Sequence, residues 1–139
     1  MSNLGHFGLP VPPPNPNLET QRFWDATADG RLELPRCGDC DHVVWYPRER
    51  CDQCGSTSLT WFEASGRGTV YSCTVTRRIP GSWRAAAPFV LAYVELDEGP
   101  RVVTNIVGCD PETVHIGQSV QAVFDPTPDG PALLRFTPV

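Results

Sequence analysis

Short apolar runs separated by turn residues fill the second half of this chain and predict strands. Five such runs follow one another, at residues 69–79, 89–96, 101–107, 119–124 and 133–136. Residues 97–100 are typical of a hairpin turn, while proline and glycine set the loops at 80–88 and 126–131. Five strands close an OB-type barrel, so we expect residues 65–139 to form an OB-fold domain.

The run at residues 89–94 differs from the others because it is apolar at nearly every position. A strand with one face in water normally alternates apolar and polar residues. We therefore expect both faces of this strand to be covered. The barrel supplies one cover, and the ribbon, the helix or a partner supplies the other.

The first half of the chain predicts one helix and a small ribbon. Asn17 is suited to an N-cap, and residues 18–28 predict a helix that ends at Asp29-Gly30. Phe23 and Trp24 are adjacent, so one can face the body while the other points elsewhere. Three short strand-like stretches then flank the cysteines, at residues 31–35, 43–47 and 59–63. Residues 18–64 are thus the predicted helix-plus-ribbon module, with a core separate from that of the barrel.

Residues 1–17 form a proline-rich arm that favours an extended, polyproline-like conformation. The arm carries more apolar residues than a solvating tail needs. Together with Phe23 and Trp24, the apolar residues of the arm predict a surface that contacts a partner. The alternative is that the arm is a disordered leader. The apolar arm residues are Leu4, Phe7, Leu9 and Val11.

The composition of the chain narrows the fold class further. The chain has 139 residues, which allow one modest core, and 15 prolines and 12 glycines, which disfavour long helices. We therefore expect a mainly β protein with a short N-terminal helix and zinc ribbon followed by a five-stranded OB-fold barrel. The chain lacks an apolar run long enough for a membrane span and an N-terminal signal-peptide pattern, so we expect a soluble, cytoplasmic protein.

Two C-x2-C pairs carry the strongest chemical signal in the chain. Cys37 and Cys40 are separated by ten residues from Cys51 and Cys54. Four thiolates at this spacing make a tetrahedral site whose usual occupant is zinc, and because protein fills every position the predicted ion is structural. Cofactor use is therefore predicted as one zinc per chain.

Other interpretations of the cysteines remain open from the sequence. The pairs could form disulfides or stay as free thiols, iron could occupy the same site in an electron carrier, and His42 could replace one cysteine. Cys73 and Cys109 lie outside the pattern and are interpreted as a buried small hydrophobe and a loop thiol.

An ordered set of short motifs extends from residue 18 to roughly residue 137. With the two cysteine pairs, these are Phe23-Trp24, Gly30-Arg31-Leu32, Pro47-Arg48, Ser65-Gly66-Arg67-Gly68-Thr69-Val70-Tyr71-Ser72, Thr74-Val75, Pro88-Phe89-Val90, Leu96-Asp97-Glu98-Gly99 and Ile116-Gly117-Gln118-Ser119-Val120. This combination resembles the acyl-CoA-associated family with an N-terminal rubredoxin-like zinc ribbon and a C-terminal OB fold, long catalogued as a domain of unknown function.

The resemblance implies a non-catalytic accessory subunit or domain. Family members accompany thiolases, thiolase-like aldolases and hydroxymethylglutaryl-CoA synthase, and some are the C-terminal part of enoyl-CoA hydratases in bacterial steroid side-chain breakdown. We therefore expect this chain to dock on a thiolase-like acyl-CoA enzyme, as a component of an aldolase or acyltransferase complex without activity of its own. The three histidines have no sequence-visible catalytic partner; they are His6, His42 and His115.

The alternative function is single-stranded nucleic-acid binding, because OB barrels and zinc ribbons both serve that role. The net charge of −5 and the lack of aromatics interleaved with basic residues argue against it. All eleven basic residues are arginines. A cluster of them with one tryptophan falls at the rim after the first barrel strand, where it could contact the phosphates and adenine of coenzyme A or lie as a solvated loop; its members are Arg77, Arg78, Trp83 and Arg84.

Overall fold

The computed structural model describes residues 4–139, and within them a helix, a two-stranded ribbon and a barrel follow one another. Helix α1 spans Gln21–Ala28, and the ribbon pairs β1 (Glu33–Cys37) with β2 (Leu59–Glu63). The barrel strands are β3 (Arg67–Thr76), β4 (Phe89–Leu96), β5 (Arg101–Ile106), β6 (Ser119–Pro126) and β7 (Ala132–Pro138). Short 3-10 helices occupy Gly81–Ala86 and Pro111–Thr113. Within residues 4–139, no helix is long and apolar enough to cross a membrane.

The five long strands close on themselves in the order β3-β4-β5-β7-β6. Neighbouring strands are antiparallel except for β5 and β7, which run parallel where Ile106 meets Phe136. At the start of β3, a Cβ on Gly68 would lie 2.6 Å from the Val94 side chain, so glycine permits the close approach of β3 and β4. The predicted mainly β class with an OB-type barrel is confirmed.

Two predicted elements differ from the structure at their boundaries. The helix begins at Gln21 because Asn17 caps a separate turn, where its Oδ1 accepts the backbone N–H of Thr20 at 3.0 Å. The stretch at residues 43–47 is not a strand, and only a single bridge joins Val43 to Arg36. The segment lies beside β1 as a return leg from the first cysteine pair, which makes the prediction of a third ribbon strand wrong.

The ribbon and the barrel share one hydrophobic core. Phe23 of α1 and Leu34 of β1 are buried in the same cluster as barrel residues such as Val94 and Phe136. A hydrogen bond also joins the helix to the barrel: the Oγ1 of Thr27 in α1 accepts the backbone N–H of Ala132 in β7 at 3.1 Å. The prediction of separate cores is therefore wrong, since side chains from the two modules exclude water from each other.

Strand β4 is buried along its inward face, whereas its outward face is buried only at Phe89. Val90, Ala92 and Val94 point into the barrel, whereas Leu91 is 44% exposed and Tyr93 is 46% exposed. α1 and the ribbon pack elsewhere on the barrel, so the expectation that one of them covers this face is wrong, and cover by a partner stays a prediction. Because the inward and the outward residues of β4 are both apolar, the sequence does not show that one face is buried and the other largely exposed.

The arm folds onto the barrel instead of extending away from it. Residues 4–10 form a tight turn in which Leu4 pairs with Pro10, and the Gly5 N–H donates to the carbonyl of Leu9 at 2.7 Å. Leu9 is only 4% exposed and packs with Phe89 and half-buried Phe7. The predicted extended conformation is therefore wrong for residues 4–10, and residues 1–3 of the predicted arm lie outside the described residues.

A buried arginine fastens this arm to the barrel. Arg135 of β7 donates to the carbonyl of Pro10 at 2.9 Å and to Asn105 Oδ1 at 2.7 Å, and its Nε lies 3.4 Å from Asp125. Asp125 is fully buried and Arg135 is 6% exposed. Burial lowers the pKa of Arg135 from its ordinary value, although Asp125 opposes that shift. The arm carbonyl thus completes the hydrogen bonding of a charge inside the protein.

We predict that Leu9→Ala lowers the free energy of unfolding by about 2 to 4 kcal/mol, because it leaves a cavity among packed side chains. The matched control is Leu4→Ala, since Leu4 is 36% exposed and joins the turn through its backbone. The control should cost less than about 0.5 kcal/mol. Urea denaturation of both variants measures the difference, and equal losses would contradict the burial of the arm.

Candidate metal centre and adjoining cavity

The two cysteine pairs converge at the tip of the ribbon. β1 ends at Cys37, and the second pair precedes β2. The Sγ atoms of the four cysteines all lie within 4.8 Å of one another, which is the spacing that one metal ion needs. The converging residues are Cys37, Cys40, Cys51 and Cys54.

The backbone of each pair takes the same course. The Sγ of Cys37 accepts the N–H of Asp39, and the Sγ of Cys51 accepts the N–H of Gln53, both at 3.4 Å. After the second cysteine of each pair, the chain turns through a left-handed residue, with φ of +64° at Asp41 and +79° at Gly55. These N–H groups stabilise negative charge on sulfur, which favours the thiolate form that binds metal.

Contacts between the two pairs hold them face to face. The Gly38 N–H donates to the carbonyl of Ser58 at 2.7 Å, and Ser56 donates through its hydroxyl to Asp39. The sulfur pairs Cys37–Cys54 and Cys40–Cys51 are 3.5 and 3.6 Å apart. A disulfide requires about 2.05 Å, so in this arrangement the thiols are unbonded.

Crowding of the thiols makes this cluster suited to a cation. The N–H of Cys40 and other donors lower the pKa of Cys37 to about 7. For Cys40, the His42 backbone N–H lowers the pKa, but burial and the neighbouring sulfurs outweigh it and raise the pKa to about 12. The first thiolate therefore opposes ionisation of its neighbours, and a divalent ion would remove that repulsion. Four sulfur donors fit a metal of the zinc-ribbon type.

His42 lies beside the cluster and pairs with a carboxylate. Its Nε2 is 3.1 Å from Asp52 Oδ1, which lies between the two cysteines of the second pair. Within residues 4–139 the metal-competent group consists of the four cysteines without His42. The alternative in which histidine replaces a cysteine is therefore not supported by the geometry.

A cavity of about 450 Å³ lies between the ribbon module and the barrel. Trp24 and Tyr46 form one wall, where the indole N–H donates to the tyrosine hydroxyl at 2.7 Å, and Leu91 and Val103 of the barrel form the opposite wall. Trp83 from the 3-10 helix at Gly81–Ala86 borders a third side. Its volume falls in the range of small-molecule sites, and its lining is mainly aromatic and aliphatic.

The predicted arginine cluster lies on the other side of the same loop. Arg77, Arg78 and Arg84 line a separate groove, and Arg77 is paired with Glu112 at 2.6 Å. Trp83 packs on Phe89 with ring centroids 5.1 Å apart, so it belongs to the apolar side. Ile79 borders both spaces. The loop therefore separates a basic groove from an apolar cavity.

The remaining predicted residues divide into buried and exposed ones. Phe23 is 1% exposed and borders the cavity from inside the shared core, while Trp24 is half-buried at its wall. Cys73 is half-buried in β3, and Cys109 is a half-buried loop thiol whose pKa is raised by burial. Sequence reasoning missed Tyr46 as a wall residue, because the cavity forms only when distant segments meet.

A four-cysteine ribbon with a shared core on a closed five-stranded barrel defines a zinc-ribbon OB-fold protein. Residues 24–60 match the family model described as "ChsH2, rubredoxin-like zinc ribbon domain", and residues 61–125 match "ChsH2, C-terminal OB-fold domain". A chain of the solved structure "Ltp2-ChsH2(DUF35) aldolase" is 34% identical, with a TM-score of 0.78 over 91% of this chain and 98% of that chain. The chain belongs to the DUF35 family.

Curated relatives place the same region in proteins of different length. A "DUF35 domain-containing scaffold protein" of Methanocaldococcus jannaschii is 41% identical over 90 residues, which are 64% of this chain and 64% of that protein. The "3-oxo-4,17-pregnadiene-20-carboxyl-CoA hydratase alpha subunit" of Mycobacterium tuberculosis is 35% identical over 124 residues, which are 84% of this chain and 37% of that subunit. The chain thus spans less than two thirds of either relative.

We predict that Cys51→Ser abolishes metal binding and lowers the free energy of unfolding by at least about 3 kcal/mol, since a buried ligand is lost. Because the core is shared, barrel and ribbon should melt together. Cys73→Ser is the control, as Cys73 lies outside the cluster, and it should keep its metal. Elemental analysis and thermal unfolding followed by circular dichroism provide the measurements. Metal retained by Cys51→Ser would refute the four-cysteine site.

Proposed function

We propose that this chain is a non-catalytic accessory subunit or domain that docks on a thiolase-like acyl-CoA enzyme and supports its acyl-CoA site. Steroid side-chain or other bacterial acyl-CoA metabolism is the proposed setting. The observation that carries the proposal is the likeness over 91% of this chain to a DUF35 chain in a structure described as an aldolase. The name of the hydratase alpha subunit among the relatives points in the same direction.

The proposed role of the metal is structural. We propose one zinc ion per chain, held by the four cysteines, with no position left for substrate or water. The site lies at the ribbon tip, and buried Val44 packs against Cys37 and Cys51. Zinc there would fix the return leg that carries Trp45 and Tyr46 into the cavity wall, so the metal would act on the cavity through the backbone.

Contact with an acyl-CoA ester is the finer part of the proposal. Such a molecule has anionic phosphates at one end and an apolar acyl chain at the other. The loop between β3 and β4 presents Arg78 and Arg84 to the basic groove, whereas Trp83 and Ile79 face the apolar cavity. Arginine suits phosphate because its planar fork can donate two hydrogen bonds, and an aromatic wall suits an acyl chain. The arrangement supports a ligand that crosses this loop.

The docking proposal is tested with a thiolase-like aldolase from the same source organism, chosen by its similarity to the aldolase component of the solved relative. We expect the two purified proteins to co-elute as a stable complex, because the accessory subunit leaves apolar surface exposed when alone. Size-exclusion chromatography with light scattering is the measurement. At about 50 μM of each protein, even a complex with a dissociation constant in the micromolar range should form. Separate elution of both proteins at this concentration would refute docking on this class of enzyme.

We predict that the Arg78→Ala/Arg84→Ala double variant weakens decanoyl-CoA binding by about tenfold or more, because two phosphate-binding cations are lost. Arg67→Ala is the control, an exposed arginine on β3 outside the groove. Longer acyl chains should bind more tightly, by at most about 0.8 kcal/mol per CH2 that enters the cavity. Isothermal titration calorimetry with acetyl-, hexanoyl- and decanoyl-CoA measures both effects. Affinity independent of chain length and of both arginines would remove the acyl-CoA contact from the proposal.

A further inference from the structure

The outward side of the barrel at β3, β4 and β5 carries a group of large apolar side chains in water. Tyr71 is 48% exposed, Leu91 44%, Tyr93 46% and Val103 56%. Tyr93 and Val103 are directly paired across β4 and β5, and Leu91 lies two residues from Tyr93 on the same side of the strand. We call these four residues the outer face.

The outer face is unusual because the inward side of the same strands already forms the core. Val90, Val94 and Val102 are at most 1% exposed, so the barrel does not need the outer residues for its own packing. Half-exposed side chains of this size leave on the order of 350 Å² of mostly apolar surface in contact with water. The largest apolar patch of a small protein has about this size and is often functional.

Within residues 4–139 the outer face stays largely open to water, since its four side chains are 44–56% exposed. α1 contacts β1, β6 and β7, and the arm packs at Phe89 and Val107. Leu91 and Val103 also border the apolar cavity, so the outer face continues into its mouth. Cys73 and Val103 also border a smaller groove of about 290 Å³. The surface therefore has relief into which a partner's side chains can insert.

Charge at the border of the outer face is internally balanced. Arg101 lies 3.8 Å from the ring centroid of Tyr71, and its Nε is 2.9 Å from the Glu95 carboxylate. The carboxylate raises the pKa of Arg101, through its hydrogen bond first, so the guanidinium stays charged and paired. A central apolar area with a polar rim that contains arginine and tyrosine is typical of protein interfaces.

We propose that the outer face is the surface that docks on the enzyme, against an apolar and weakly charged area of that protein. The inference rests on the proposed function and adds the location of the contact. The outer face replaces the N-terminal arm as the proposed docking surface, because Leu9 and Phe23 are buried inside this chain. Docking here would also close the mouth of the cavity at Leu91 and Val103, placing a bound acyl chain between the two proteins.

Two other occupants fit the same surface less well. Single-stranded nucleic acid stacks on exposed aromatics of OB folds, but it also needs unpaired cations along the strands, and here Arg101 is neutralised by Glu95. A second copy of the chain would bring two convex barrels together over an area below the roughly 800 Å² per partner of a stable interface. A larger enzyme can offer a concave surface that reaches both the outer face and the cavity mouth.

The test compares three proteins for affinity to the same aldolase: the unaltered chain, the Tyr93→Thr/Val103→Thr variant and the Leu18→Asp variant. Threonine keeps strand propensity while it removes the aromatic and aliphatic surface. Leu18 is 95% exposed and borders neither the cavity nor the groove, so its variant controls for loss of an exposed apolar residue. Surface plasmon resonance with immobilised aldolase gives the dissociation constants, and thermal unfolding reports the fold.

We expect the double variant to bind at least about tenfold more weakly, with thermal unfolding unchanged within a few degrees, and Leu18→Asp to bind as the unaltered chain does. If the double variant is destabilised, Leu91→Thr alone provides the same comparison. Equal binding by all variants would overturn the assignment of the outer face as the docking surface, while the proposal that the chain docks on the enzyme would stand. No binding by the unaltered chain would overturn docking itself. A dimer of the chain alone, or tight binding of oligo-dT, that is lost in the double variant would assign the surface to those occupants instead.

Discussion

Burial of Phe23 between the ribbon module and the barrel fixes the position of the ribbon module on the barrel. Its ring lies 4.9 Å from Trp24, 5.5 Å from Trp45 and 5.8 Å from Tyr46 between centroids, in edge-to-face contacts. These aromatic contacts have preferred angles, so they fix orientation as well as distance. The cavity exists because the same cluster holds one wall at a set distance from the barrel.

The metal cluster and the cavity are connected through a short piece of backbone. Cys37 begins the first turn, Val43 and Val44 are buried on the way back, and Trp45 and Tyr46 follow at the cavity wall. Five residues therefore separate Cys40 from Tyr46 along the chain. A change at the sulfurs would alter where the wall stands, although no cysteine of the cluster lines the cavity. This connection is the route by which the proposed structural ion would influence the proposed ligand site.

Local features of the structure could be predicted from the sequence, while features made by distant contacts could not. The cysteine spacing and the apolar runs act over a few residues, so the metal-competent cluster and all five barrel strands were foreseen. The shared core depends on Phe23 meeting residues far along the chain, and no periodicity reports that meeting. Exposure of Leu91 and Tyr93 was hidden because apolar residues occupy both sides of β4. Leu9 is buried against Phe89 and Val107, and Arg135 binds the carbonyl of the adjacent Pro10 from 125 residues away.

The distribution of tryptophans gives the protein a built-in optical reporter. Three of the four indoles, at Trp24, Trp45 and Trp83, border the cavity, while Trp61 lies in the ribbon near Arg22. Indole emission shifts with the polarity of its surroundings, so water displaced from the cavity should change the emission spectrum of the unlabelled protein. Occupancy of the cavity and movement of the Trp45 wall can thus be followed by intrinsic fluorescence, to which Trp61 adds a background that lies outside the cavity.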